Sequence, residues 1–215
     1  MPIEESKLKN ASYVTILSNP STIELEISRD FALNFFNDPS NTAMQFTNVG
    51  LSIKHTIREP NPFFSFAPNR LEFSNYSTAA VNNMIQNIEP KLISKNIDLV
   101  NSVHGINLEY EIKLKEVSHP YAWISENLLS GNVINTDSNV QTLGRGIHFR
   151  WNPYHQGYIE LRIDSIQRDS EWFRIQFNDH RITNMDSLLS GQSLSDSFSD
   201  SEEQLHKIIN ILEGS

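Results

Sequence analysis

Cysteine is absent from the 215 residues, which excludes disulfides, thiolate metal ligands and a cysteine nucleophile together. Basic side chains are in deficit, 17 Lys and Arg against 26 Asp and Glu, for a formal charge of -9 and a pI near 5.2. Polyanions are bound through clustered Lys and Arg, so nucleic acid is not an expected partner. Long hydrophobic runs are missing as well, and a membrane-spanning helix would need about twenty apolar residues together. The start, Met1-Pro2-Ile3-Glu4-Glu5, is acidic and lacks the basic and apolar regions of a signal peptide. A cytoplasmic location is the expectation. Glycine is scarce, at 8 residues, and Gly144-Arg145-Gly146 lacks both the third glycine and the following helix of a dinucleotide loop.

What is present is the composition of an ordinary globular chain: 38% hydrophobic, 10% aromatic and 20% charged. A chain of this size removes roughly 70% of its unfolded surface from water, enough for one sizeable core with a small appendage. The low-complexity stretch 187–201, SLLSGQSLSDSFSDS, has little apolar surface to offset its ordering entropy. The expected organisation is therefore a single α+β domain over 1–186, a Ser-rich linker or loop over 187–201, and an amphipathic helix over 202–215. That helix would present Leu205, Ile208, Ile209 and Leu212 in one stripe, with Ser199 and Glu202 as its capping box.

Two β-branched runs, 12–17 and 22–27, flank Asn19-Pro20-Ser21 and predict a hairpin, and the phenylalanines at 31, 35 and 36 suggest a short helix. Strands are expected around 44–57, 70–74, 106–115, 140–151, 158–166 and 172–178. Val81, Met84, Ile85, Ile88 and Leu92 share one face of a helix over 78–92, with Pro90 tightening its end. Over 106–115, Ile106, Leu108, Tyr110, Ile112 and Leu114 alternate without a slip against polar residues. Pro120 starts a short helix over 121–129 that ends near Gly131. The last three strands, spaced by Asn152-Pro153, Gly157 and 167–170, predict an antiparallel meander. The fold class is α+β, a mainly antiparallel sheet with two to four helices packed on it. Phe63, Phe64 and Phe66, between prolines, are expected to close the end of a core.

On the polar side of the meander, alternation aligns His148 and Arg150, then Glu160, Arg162 and Asp164, then Arg174, Gln176, Asn178 and His180. In a catalytic reading the carboxylates act as acid and base or hold a metal, with imidazoles and arginines beside them. In the plainer reading this is a solvated face whose charges pair across strands, which is what any half-buried sheet shows. Asp98 with Glu111-Ile112-Lys113 matches the skeleton of a Mg²⁺ nuclease but lacks the preceding Pro-Asp. The seven histidines, His55, His104, His119, His148, His155, His180 and His206, are scattered singly; only His148 and His155 could meet, around a hairpin turn. No Gly-x-Ser-x-Gly elbow occurs. No cofactor and no metal are expected.

Pro68-Asn69-Arg70 at a strand start, Gly105-Ile106-Asn107 opening the long strand and Asn178-Asp179-His180 closing the meander follow in an order that resembles an uncharacterised family of bacterial hypothetical proteins. The resemblance implies a bacterial α+β protein and transfers no catalytic residue. The leading expectation is a non-enzymatic protein-interaction or assembly module, such as an accessory or regulatory subunit. Its partner would be another protein or a second copy of the chain, met through Leu205, Ile208, Ile209 and Leu212. The helix that carries them is too short to stand alone in water, and docking in cis on its own sheet is expected ahead of docking on the sheet of a second subunit. The runner-up is a hydrolase using Glu160, Asp164, His180, His148, Arg162 and Arg174, metal-dependent or not.

Overall fold

The computed structural model describes residues 3–19, 39–47, 50–56, 62–124, 126, 139–143, 146–152, 156–166 and 171–213. In chain order these form β1 (Ile3–Leu17), β2 (Thr42–Thr47), β3 (Gly50–His55), β4 (Phe63–Ala67), β5 (Arg70–Asn75), α1 (Thr78–Ser94) and β6 (Asn101–Leu114). There follow the single turn α2 (Pro120–Trp123), β7 (Asn139–Leu143), β8 (Gly146–Trp151), β9 (Gly157–Ser165), β10 (Phe173–Met185) and α3 (Gly191–Glu213). The class is α+β with mainly antiparallel strands, as expected. The chain divides into two compact units. The α1 unit comprises Asn10–Gly105 and Ile182–Ser197; the meander unit comprises Met1–Lys9, Ile106–Arg181 and Phe198–Ser215.

In the α1 unit the strands neighbour one another in the order β2-β3-β4-β5-β1-β6. The segment read as one strand over 44–57 is instead the hairpin β2-β3, from Thr42↔His55 to Thr47↔Gly50. Ser12–Leu17 finds its partners in β5 and β6; the expected partner strand 22–27 and the helix at 31–36 lie outside the described residues. Phe64 and Phe66 are buried, as the core reading of that segment requires. α1 packs on β5, burying Val81, Met84, Ile85, Ile88 and Leu92, the stripe its 3.6-residue period marks. Ser77 caps it by accepting from the Ala80 N–H. Pro90 lies inside this helix near its end, which falls at Ser94, and the chain leaves at Lys95, whose N–H reaches the Leu92 carbonyl.

In the meander unit the order is β1-β6-β10-β9-β8-β7. The expected strand 140–151 is again a hairpin, β7-β8, closing at Leu143↔Gly146, so the meander has four strands rather than three. Gly146 fits there because a Cβ would overlap the Asp164 carboxylate and stand 2.6 Å from the Ile163 carbonyl. Gly157, with φ +126, opens β9 where a side chain would collide with the His180 carbonyl. Ile159, Leu161 and Ile163 of β9 and Phe173, Ile175 and Phe177 of β10 face the core. The Trp123 ring meets Phe173 edge-on at 5.5 Å. The helix expected over 121–129 is described only in its first turn, Pro120–Trp123, and at 124 and 126.

The Ser-rich stretch is not a linker. Residues 191–201 are the first half of α3, and the capping box placed at Ser199 and Glu202 falls inside the helix. Spacing overrides composition here: Leu194, Phe198, Ser201, Leu205 and Ile209 recur every three to four residues and are all buried. Before α3, side chains of the α1 unit hold the chain by its backbone. Asn101 Nδ2 donates to the Ser187 carbonyl, Glu89 accepts from the Leu188 N–H and the Tyr13 hydroxyl from the Leu189 N–H. The Asn82 amide accepts from the Gly191 N–H and donates to the Gly191 carbonyl.

Candidate binding face

The polar residues picked out by alternation do share one face of the meander, and register places them in rows. Arg150, Glu160 and Asn178 lie abreast on β8, β9 and β10; His148, Arg162 and Gln176 form the next row; Gly146, Asp164 and Arg174 the third. Charges of opposite sign meet across and along the strands. Arg150 reaches Glu160 at 3.5 Å, with His148 at 3.9 Å on the same oxygen. Arg162 Nε contacts Asp164 at 2.6 Å. Arg174 and Gln176 reach back to Glu109 of β6, each at 3.3 Å.

Tyr158 anchors one end of this face. The Arg150 guanidinium lies 3.7 Å from its ring centroid, and His180 stacks on it at 4.4 Å and 17°. Partial burial, and after it the positive charge of Arg150, hold the His180 pKa below its ordinary value, against smaller opposing effects of Glu160 and Asp179.

Glu160 and Asp164 are four residues apart on one strand, about 13 Å along the backbone, and a separate arginine holds each. Paired carboxyls that cleave a glycosidic bond stand roughly 5–9.5 Å apart. His180 stands opposite Tyr158, six positions from Arg174, which faces Asp164. The residues of the hydrolase reading thus share a face without converging on a point. Among the described residues no three His, Asp or Glu side chains are grouped to hold a metal ion. The nuclease skeleton is dispersed into ion pairs: Glu111 binds Lys9 at 3.2 Å, and Lys113 binds Glu171 at 2.8 Å and Glu4 at 3.5 Å. Asp98 accepts from the Asn19 side chain and the Val100 N–H, which holds its pKa low. His55 and His104 are buried in the α1 unit; His155 lies outside the described residues.

Two of the four side chains assigned to a partner, Leu205 and Ile209, pack within the chain, as docking in cis requires. Leu205 and Ile209 are buried at 1% and 3% exposure, and Ile209 lines a small hollow with Ile112, Trp123, Ile163 and Phe173 of the same unit. A short amphipathic helix gains its stability from such packing, so these two side chains are not a free surface; those of Ile208 and Leu212 lie outside the described residues.

Alternation marks Asp179 as core-facing, yet sequence reasoning gave it no role. It is a fully buried carboxylate in a row of apolar side chains, held by Arg181 through Nε and a terminal nitrogen and by the Ser201 hydroxyl at 3.0 Å. The detectable signal was an acid at a core position of β10 with a serine on the buried stripe of the terminal helix. No helix among the described residues is long and apolar enough to cross a membrane. A scan against protein-family models finds no match, and no curated protein is similar to the chain in sequence.

Proposed function

We propose that the chain is a protein-interaction module, an accessory or regulatory part of a larger bacterial assembly, and that the polar face of β6, β10, β9 and β8 is its contact surface. One observation supports this most. The carboxylates Glu109, Glu160 and Asp164 are each engaged by a basic side chain, while the basic side chains themselves stay 42–46% exposed. Such a face offers oriented donors for recognition rather than an acid and base poised for chemistry. Leu205 and Ile209 of α3 are buried in the fold, which favours the polar face as the contact surface.

The test places bulk at the centre of the face. Gln176→Trp with Asn178→Trp should abolish binding of a partner that has been identified by mass spectrometry and purified, with the melting temperature preserved. Retained binding would remove the face from the proposal. Turnover of ester or phosphoester substrates that disappears in Glu160→Ala would replace the module reading by the hydrolase.

A further inference from the structure

Arg150, Arg162 and Arg174 stand on three successive strands, each displaced two residues from the last: Arg150 in the Glu160 row, Arg162 in the Gln176 row, Arg174 in the Asp164 row. One strand sideways is about 4.8 Å and two residues along about 6.7 Å, so the arginines follow a diagonal with steps of about 8 Å. Their side chains are 46%, 45% and 42% exposed, while the paired acids Glu160, Asp164 and Glu109 are 26%, 16% and 29% exposed. In each pair the arginine is the more exposed partner.

Two of the guanidinia are also placed before any partner arrives: Arg150 lies over the Tyr158 ring and Asp164 holds Arg162 by Nε, while Glu109 stands 3.3 Å from Nε of Arg174. A guanidinium has five N–H donors in a rigid fork, so a pair made through one nitrogen leaves others directed outward. Fixing the fork in advance lowers the ordering cost of a second carboxylate contact. In a chain of net charge -9, an exposed row of arginines is where an acidic partner meets attraction.

Resting on the protein-interaction reading above, we propose that the partner docks an acidic segment, carboxylate side chains on an extended chain, along the Arg150–Arg162–Arg174 diagonal. Alternate side chains of an extended strand point the same way about 6.7 Å apart, close to the step of the diagonal. Phosphate would also suit arginine, but the chain is acidic overall and has no clustered Lys and Arg surplus, which disfavours the dense charge of a nucleic acid.

The experiment is fluorescence anisotropy on the full chain with a labelled peptide of alternating Glu and Ser, a Lys-Ser peptide and a single-stranded oligonucleotide of matched charge. The Glu peptide should bind, more weakly as salt rises, and the Lys peptide should not. Arg150→Gln, Arg162→Gln and Arg174→Gln should each weaken binding about 2–5-fold, as exposed ion pairs do, and the triple variant should abolish it. Arg70→Gln, at a comparably exposed arginine of the α1 unit, should change nothing. If the triple variant fails to fold, the single variants decide. Absent binding, equal binding by the triple variant, equal binding of the Lys peptide or tighter binding of the oligonucleotide would each overturn the acidic partner. A purified partner lost on Gln176→Trp with Asn178→Trp but indifferent to the three arginines would overturn the acidic segment alone and leave the docking face standing.

Discussion

In the α1 unit the polar side chains that organise the fold are largely neutral and reach for main chain: Asn82 to Gly191, Asn101 to Ser187, Tyr13 to Leu189, Thr15 to the Val103 carbonyl. In the meander unit they are largely charged and reach for one another: Arg150 and Glu160, Arg162 and Asp164, Lys113 and Glu171. The difference follows from where each set works. A segment such as 187–191 has no ladder of its own, so its backbone donors and acceptors need side-chain partners. The solvated face of a sheet has its ladder already, and its charges add only a few tenths of a kcal/mol per pair. Stability in the meander unit therefore rests on its apolar face.

Deleting core volume should have the largest effect. Phe73 is fully buried against Phe64 at 5.0 Å and Tyr13 at 6.3 Å, so Phe73→Ala should cost about 3–5 kcal/mol. The tryptophans, Trp123, Trp151 and Trp172, all belong to the meander unit, so their fluorescence reports that unit while circular dichroism reports both. β1, β6, β10 and α3 contribute residues to both units, and the two probes should give one coincident transition in urea. Separate midpoints would show that each unit melts on its own.

Asp179→Ala removes a charge that the meander unit carries in a core row, and with it a shared acceptor of Arg181 and Ser201. About 2 kcal/mol should be lost, read as a lower urea midpoint. A loss near that of Glu160→Ala, a few tenths of a kcal/mol, would erase the distinction between buried and solvated charge. Asn82→Ala, which frees the Gly191 N–H at the start of α3, should cost about 1 kcal/mol and speed amide exchange there. Unchanged exchange would mean that the cap does not hold the helix start.

The smallest effect expected is a pH dependence at His180. Its pKa lies below 6.5 in the folded chain, through partial burial and the Arg150 charge, with Glu160 and Asp179 opposing. The unfolded chain takes up this proton more readily, so the contribution of the neutral ring is complete above pH 6.5 and is lost as the pH falls through the lowered value. His180→Gln should therefore flatten the acid side of the melting profile by about 1 °C. A steeper acid loss in the variant would reverse the sign and sink the assignment.

Much of this was legible because it is local. Val81 to Leu92 marked α1 by its period, and the alternation through 158–166 and 172–178 separated a core face from a polar face, which the structure keeps residue for residue. The hairpins hidden in 44–57 and 140–151 were not legible, since strand-forming residues run on both sides of a tight reversal and only pairing reveals it. The serines of α3 hid a buried stripe because composition averages over spacing, and Leu194, Phe198, Leu205 and Ile209 are few among many polar neighbours.

By itself the sequence determined the α+β class, the stripe of α1 and the membership of the polar face, because periods of 3.6 and 2 residues decide which side chains turn together. Tertiary structure alone decided that β1 lies between β5 and β6, that α3 buries Leu205 and Ile209 in its own chain, and that Asp179 is held by Arg181 and Ser201. It also placed Arg150, Arg162 and Arg174 on a diagonal, since that depends on the register of three strands. Strand partners and the satisfaction of a buried charge are contacts between residues far apart in the chain, set by which apolar faces can be buried together, and no local period encodes them.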